Sequence, residues 1–314
     1  RDAQESRGLG DVYKRQIGYH GCTEYILNRV VNGYIEDLNF SENEYDWLGK
    51  GIYFWENDYE RAKQWAIENI KKHDSGIDRP AVLGAVILPH KCLDLTKIEG
   101  TIFLEKAYNR YSLKMKNEGK ELPENKPAGR KDDDLLLRYL DCAIINEFCE
   151  NEGKDYVSVR GLFPEGEPAY PGGGIKKKTH IQWAIRNPES CILGYFRPRG
   201  LDQMLFPSYI NKKMEQEMHQ SLINEISWDI EEYWNKRMIN LLKSIIKSYK
   251  KYNMHEHIRI LRTSQLCWRR YRDAEIQIVA PSPEYRGTMT SGEIAWHRSF
   301  MDEQRYYALR ALNY

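Results

Sequence analysis

Apolar positions change their period along this chain. Up to about residue 207, short apolar runs alternate with stretches of helical spacing. Beyond it only helical spacing remains. Residues 17–22 (Ile-Gly-Tyr-His-Gly-Cys) read as a short strand ending in a turn. Thr23 suits the cap of a helix carrying Ile26, Val30 and Val31, and Gly33 closes that helix. The turn Gly49-Lys50-Gly51 runs straight into an aromatic strand at 52–55. Asp58 then caps a helix on which Ala62, Trp65, Ala66 and Ile70 recur at helical spacing.

The same reading continues through the middle. Residues 81–88 form a buried strand between Pro80 and Pro89, and Leu93 and Leu95 mark a short one. A helix is expected at 98–117. A polar stretch at 116–130, with Pro123 and Pro127, reads as a surface loop. A second helix is expected at 132–150, with Leu135, Leu136, Leu140, Ile144, Ile145 and Phe148 on its apolar face and Asp132 to Asp134 at its positive end. Strands follow at 156–159, 179–185 and 190–196, the first two joined by a loop rich in Gly and Pro. Four helical segments come last, at 211–225, 228–252, 255–279 and 292–314, with Pro281 and Pro283 breaking the third from the fourth. The expected class is α+β, with a mixed domain over 17–207 and an all-α bundle or hairpin over 208–314.

Charge and composition narrow the function. The formal net charge is +1, so nothing global points to nucleic acid or an anionic membrane. No apolar run is long enough to span a membrane. The six cysteines are scattered with no paired spacing, which argues against a zinc site and for a reducing compartment. The expected location is the cytoplasm. Residues 1–16 resemble a translated sequencing adapter and are left out of fold reasoning, so a leader lost ahead of residue 17 stays open.

Two motifs carry chemistry. Tyr19-His20-Gly21, a helix ending at Gly33, and then Gly49-Lys50-Gly51-Ile52-Tyr53-Phe54 resemble the first two motifs of the ADP-ribosyltransferase superfamily. The likeness is to its diphtheria-toxin and poly(ADP-ribose)-polymerase-like branch, with a His-Tyr-Glu signature. The resemblance implies a split antiparallel β-sandwich with flanking helices and NAD as co-substrate in the cleft, with no metal. It implies that His20 bonds the NAD ribose, with Gly21 beside it, and that Tyr53 stacks on nicotinamide. It implies that the loop before the late strand helps select an acceptor, which is a protein, a nucleic acid or a small molecule. A toxin-like or phage-defence role rests on the family alone.

The likeness departs at the late strand, where His180 and Gln182 stand in place of a Glu. Breaking the nicotinamide–ribose bond builds positive charge on the sugar, and a carboxylate stabilises it. Gln182 can bond a ribose hydroxyl but is neutral and cannot act as a base. Three explanations stay open. Glu165 or Glu167 supplies the carboxylate from the loop. Gln182 suffices with a more nucleophilic acceptor. Or the domain binds NAD or another nucleotide and transfers nothing. Arg160 either pairs with the NAD pyrophosphate or forms a structural ion pair with Glu165 or Glu167. The basic run Lys176 to Lys178 reads as a solvated face.

In the last third, Ser264-Gln265, Trp268 and Tyr271-Arg272-Asp273 resemble the core of the lysozyme-inhibitor (LprI-like) domain, with Gly287, Arg305 and Leu309 fitting loosely. Its secreted members carry paired cysteines, whereas this segment has Cys267 alone. The resemblance implies a helical accessory domain that holds a protein partner. Core packing and one helix-face ion pair account for Trp268, Tyr271, Arg272 and Asp273 without chemistry.

Overall fold

A computed structural model describes residues 15–35, 37–73, 79–127, 135–198, 212–279 and 289–311. In chain order the elements are β1 (Gln16–Thr23), α1 (Glu24–Val31), β2 (Ile52–Glu56), α2 (Tyr59–His73), β3 (Pro80–Ile87), β4 (Cys92–Asp94), α3 (Ile98–Asn117) and α4 (Tyr139–Glu150). Then come β5 (Ser158–Phe163), β6 (His180–Ile185), α5 (Pro188–Cys191), β7 (Ile192–Phe196), α6 (Lys212–Lys251), α7 (His255–Val279) and α8 (Met289–Arg310). The described residues of Arg1–Tyr25 and Asp37–Leu193 form one compact unit, and those of Ile26–Glu36 and Gly194–Tyr314 a second. The expected boundary at 207 and residues 1–14 of the adapter-like segment 1–16 lie outside the described residues, but Gln16 of that segment belongs to the fold, in β1 opposite Ile87.

The class is α+β. The strands make one seven-stranded sheet in the order β4-β5-β6-β2-β1-β3-β7. β1 pairs antiparallel with β3 along its whole length, but with β2 only at Gly18↔Glu56 and Tyr19↔Trp55. β2–β6 and β5–β6 are antiparallel, and β4–β5 is parallel. One face carries a core of Leu48, Leu93, Ile145, Phe148, Val159 and Ala184. Each such side chain contributes about 1.5–3 kcal/mol by leaving water.

Local chemistry explains most of these elements. Asp58 Oδ1 accepts from Arg61 N at 2.9 Å and so caps α2. Gly33, at φ +68°, ends α1 with its N–H on the Val30 carbonyl at 2.9 Å. β5 begins later than expected and runs on through Gly161 to Phe163. A Cβ at Gly161 would fall 2.8 Å from Leu48 Cδ2, so close packing, and not a turn, is what requires this glycine.

Two expected helices differ. The helix read at 132–150 begins only at Tyr139. Leu137 is extended instead, exchanging hydrogen bonds with Lys126 at 2.8 and 2.9 Å. Asn125 Oδ1 supplies the cap from outside, accepting from Leu140 N at 2.9 Å. Asp132 to Asp134 lie outside the described residues. In the second unit, the segments read at 211–225 and 228–252 are one helix, α6. Ser227, which falls between the two expected segments, bonds its hydroxyl to the Ile223 carbonyl at 2.7 Å within the helix. α7 keeps its expected bounds. α8 begins three residues early, and Pro281, Pro283 and Gly287 lie outside the described residues.

Candidate functional site

The β1–β2 ladder ends beside His20. One residue past the last β1–β2 pair, His20 Nδ1 donates to the Tyr53 carbonyl at 2.8 Å. A carbonyl only accepts, so Nδ1 carries the proton and Nε2 is left as an acceptor. Burial pushes the His20 pKa down, against the pull of this bond, and keeps the ring neutral. The Tyr53 hydroxyl donates to the Gly49 carbonyl at 2.6 Å and accepts from Leu48 N at 2.9 Å. Burial raises its pKa well above the ordinary phenol value, so it stays protonated.

The turn that holds Tyr53 is itself braced. Gly49 takes φ +73°, a conformation that suits glycine. Asn146 Oδ1 accepts from Lys50 N at 3.0 Å and from Arg186 Nη1 at 3.0 Å, and Arg186 also reaches the Lys50 carbonyl at 3.1 Å. The Gly-Lys-Gly turn is thus tied to α4 and to the end of β6.

Strand alternation sorts the expected residues onto two faces. Gln182 stands opposite Trp55 and Gly161, and Tyr53 opposite Ala184. Tyr53, Trp55, His180 and Gln182 therefore share one face. α2 crosses the same face, where a Cβ on Gly21 would fall 2.5 Å from the Ala62 carbonyl oxygen. His20 lies on the other face, its ring 5.8 Å from Phe54. Arg160 is also there, above Trp183 at 5.6 Å. Its ion pairs go to Glu56, at 2.6 and 2.8 Å, and to Asp94 at 3.3 Å. They do not go to Glu165 or Glu167.

Glu165 reaches the Gln182 face from its loop. Both its oxygens accept from Arg61 Nη2, at 3.0 and 2.8 Å, with only 8% of the Arg61 side chain and 15% of the Glu165 side chain exposed. Glu165 Oε2 lies 3.7 Å from His180 Nδ1. The His180 proton itself goes to the Lys178 carbonyl at 2.6 Å, and burial lowers the pKa of this ring too. His180 sits in an aromatic wall, 6.0 Å from Trp47, 5.9 Å from Phe163 and 6.4 Å from Trp55. Arg61 lies over the Trp55 ring at 5.7 Å. Buried Arg61 Nε, Arg61 Nη1, Trp55 Nε1 and His180 Nε2 find no hydrogen-bond partner among the described residues. Glu167 stays exposed on the loop.

The arrangement sets a carboxylate beside β6, its charge balanced by Arg61, against a wall of buried aromatic rings. Among the described residues no group of three metal-ligating side chains gathers, and no helix is long and apolar enough to cross a membrane. Sequence reasoning missed Arg61, Trp47, Asn146 and Arg186. Arg61 had one signal: it sits on the Ala62–Trp65 stripe of α2, where a charged residue must find a buried partner.

In the second unit the residues of the Ser-Gln motif meet the last helix. Arg305 donates to Ser264 Oγ at 2.8 Å and to Gln265 Oε1 at 3.2 Å. Arg272 pairs with fully buried Asp302 at 2.9 Å and lies over Trp268 at 5.2 Å. The ion pair expected along one helix face thus also ties α7 to α8.

The molecule therefore joins an α+β sheet domain to a helical unit, and comparison with known proteins bears most directly on the second. Residues 210–309 match the lysozyme inhibitor LprI family, so the C-terminal third carries an LprI-like domain. The chain is also similar to the uncharacterized protein MJ0359 of Methanocaldococcus jannaschii, at 25% identity over 223 residues, covering 64% of this chain and 97% of that protein. No solved structure matches the chain.

Proposed function

We propose that the first unit is an NAD-dependent mono-ADP-ribosyltransferase-like enzyme. It breaks the bond between nicotinamide and ribose and moves ADP-ribose to an acceptor. The observation that carries this reading is Glu165. Its carboxylate stands 3.7 Å from His180, on the strand that lacks the expected Glu, beside Gln182 and the Trp55 wall. In the reaction the glycosidic bonding pair leaves with nicotinamide. The sugar becomes cationic, and Glu165 stabilises that charge and takes the proton the acceptor loses. Tyr53 stacks on nicotinamide, Gln182 holds a ribose hydroxyl, and His20 offers its unprotonated Nε2 to the other ribose. His20 stands on the other face of the sheet from Tyr53 and Gln182, so NAD would reach it past the end of the β1–β2 ladder. The helical unit, by its likeness to lysozyme inhibitors, would hold a protein partner.

The test is nicotinamide release from NAD by the full chain, with cell lysate as a source of acceptors, beside His20→Ala, Tyr53→Ala, Glu165→Gln, Glu167→Gln and Gln182→Ala. The expected result is release that fails in the His20, Tyr53 and Glu165 variants and survives in Glu167→Gln. Release undiminished in Glu165→Gln overturns the role of that carboxylate.

One observation favours a second reading, a nucleotide-binding or protein-interaction module without transfer. Arg61 engages both oxygens of Glu165, which neutralises the carboxylate. Calorimetric NAD binding without nicotinamide release is its signature. The absence of both binding and release defeats the transferase reading and leaves the protein-interaction module.

A further inference from the structure

Arg61 carries more hydrogen-bonding capacity than the fold uses. Its Nη2 group serves both oxygens of Glu165, while Nε and Nη1 are buried and find no partner among the described residues. Two neighbours are in the same condition. The Arg61 guanidinium lies 5.7 Å from the Trp55 ring, and the His180 ring lies 6.4 Å from that ring. Trp55 Nε1 and His180 Nε2 are likewise buried and unmet among the described residues. Three of these four atoms are donors. Buried N–H groups are nearly always bonded, so unmet donors gathered about one guanidinium mark a place for an acceptor that the chain does not supply. Only 8% of the Arg61 side chain is exposed, so surface water does not meet this need.

The Glu165 carboxylate shows what fits. It is an oxyanion held at one edge of the guanidinium, where a single nitrogen serves both oxygens and the two-nitrogen fork goes unused. A phosphate matches that fork and brings more oxygens to the remaining donors. Because Glu165 balances the Arg61 charge, an incoming anion binds by taking its place. The carboxylate is the more exposed partner of the pair, and its backbone is tied down separately, with the Glu165 carbonyl accepting from Lys178 N at 3.0 Å. Rotation of the Glu165 side chain therefore vacates Arg61 while the loop stays on β6. Arg160, the cation that the sequence offers to a pyrophosphate, is committed: its Nε, Nη1 and Nη2 already bond Glu56, Asp94 and Thr96 on the other face. We infer that Arg61 is an oxyanion site that Glu165 fills from within the chain, and that a phosphate of a bound nucleotide displaces the carboxylate. The inference rests on the nucleotide-binding reading above and adds the group that anchors the nucleotide. It also reconciles a neutralised Glu165 with a role in transfer, since the phosphate that takes Arg61 frees the carboxylate for the sugar.

The test is calorimetric binding of ADP, inorganic pyrophosphate and adenosine to the full chain, to Glu165→Gln, and to Arg61→Gln combined with Glu165→Gln. A tethered competitor lowers apparent affinity by the fraction of chains whose site is open, so Glu165→Gln should bind ADP and pyrophosphate about tenfold more tightly than the parent. Pyrophosphate should also raise the melting temperature of Glu165→Gln by more than that of the parent. The double variant leaves no charge stranded and should lose about tenfold or more in ADP affinity relative to Glu165→Gln. Adenosine, which lacks phosphate, should bind all three proteins alike. An ADP affinity that Glu165→Gln leaves unchanged or weakens overturns the inference. So does a double variant that binds ADP as tightly as Glu165→Gln. Nicotinamide release by the parent separates this inference from the transferase reading. No release, with a gain in Glu165→Gln that loss of Arg61 abolishes, sinks transfer and keeps the oxyanion site. Release without that gain keeps transfer and sinks the site.

Discussion

His20 Nδ1 holds the Tyr53 carbonyl at 2.8 Å, where the β1–β2 ladder has just ended. The ring does the work of a missing strand bond and, through the same bond, keeps its proton on Nδ1 and leaves Nε2 as an acceptor. These two roles separate. The amide of an Asn can donate from nearly the position of Nδ1 but has nothing at Nε2. His20→Asn should therefore fold with nearly parental stability, while His20→Ala loses about 1 kcal/mol. Nicotinamide release should fail in both. Urea midpoints and an NAD assay on the pair check this. Equal stability of the two variants would mean that the bond contributes nothing.

The Arg61–Glu165 pair ties α2 to the loop ahead of β6. Removing one partner of a buried pair strands the other charge, at about 3 kcal/mol or more. Arg61→Ala and Glu165→Ala should each cost that much, and the double variant far less than their sum. Thermal melts of the four proteins measure the coupling. Additive losses would mean that the two groups do not depend on each other. Any activity comparison with Glu165→Gln belongs well below its melting point, because that change also strands Arg61.

How far the sequence revealed this site depends on how local each relationship is. The cap on Asp58, the end of α1 at Gly33 and the strand after Gly51 are set by neighbours, so each was legible. Glu165 and Gln182 were legible as candidates, because the missing late-strand Glu sent the search into the loop. That Arg61 would hold Glu165 was not, since the two are 104 residues apart and only the folded sheet joins them. Arg160 misled for the same reason. The carboxylates that follow it in sequence are Glu165 and Glu167, but Glu165 turns to the opposite face, where Arg61 holds it. Arg160 meets Glu56 and Asp94 instead. The gap read between 225 and 228 closes for a local reason: Ser227, of a residue type common at caps, bonds back inside the helix.

The Gly49 turn offers a prediction about geometry transmitted to Tyr53. An alanine there would adopt φ +73° with its methyl 2.6 Å from Asn146 Oδ1. Gly49→Ala should cost roughly 1–3 kcal/mol. Asn146→Ala removes the acceptor shared by Lys50 N and Arg186 and should loosen the same turn without strain. If Tyr53 stacks on nicotinamide, Asn146→Ala should raise the KM for NAD more than it lowers kcat. A change in kcat alone would show that the turn does not position the ring for binding.

The last prediction concerns the helical unit alone. Burial lifts the Glu303 carboxyl on α8 from about 4.5 to about 7, with Arg237 pulling the other way. Below pH 4.5 the group is protonated in folded and unfolded chains alike. Between 4.5 and 7 the folded chain keeps a proton that the unfolded chain has released. Stability from this group therefore falls as pH rises through that window and levels off above it, a loss on the order of 3 kcal/mol. His20 and His180, whose folded pKa values are depressed, act the other way: their contribution is lost as pH falls below about 6.5. Comparing Glu303→Gln with the parent removes these histidines from the difference. Near pH 4 the two proteins should match, because a protonated Glu resembles Gln. Near pH 8 the variant should be the more stable by about 3 kcal/mol, since the parent must keep a charge where water is excluded. Urea unfolding followed by helical circular dichroism at the two pH values measures both differences. Equal stability at both would mean that Glu303 reaches solvent or a stronger cation than Arg237 in the folded chain.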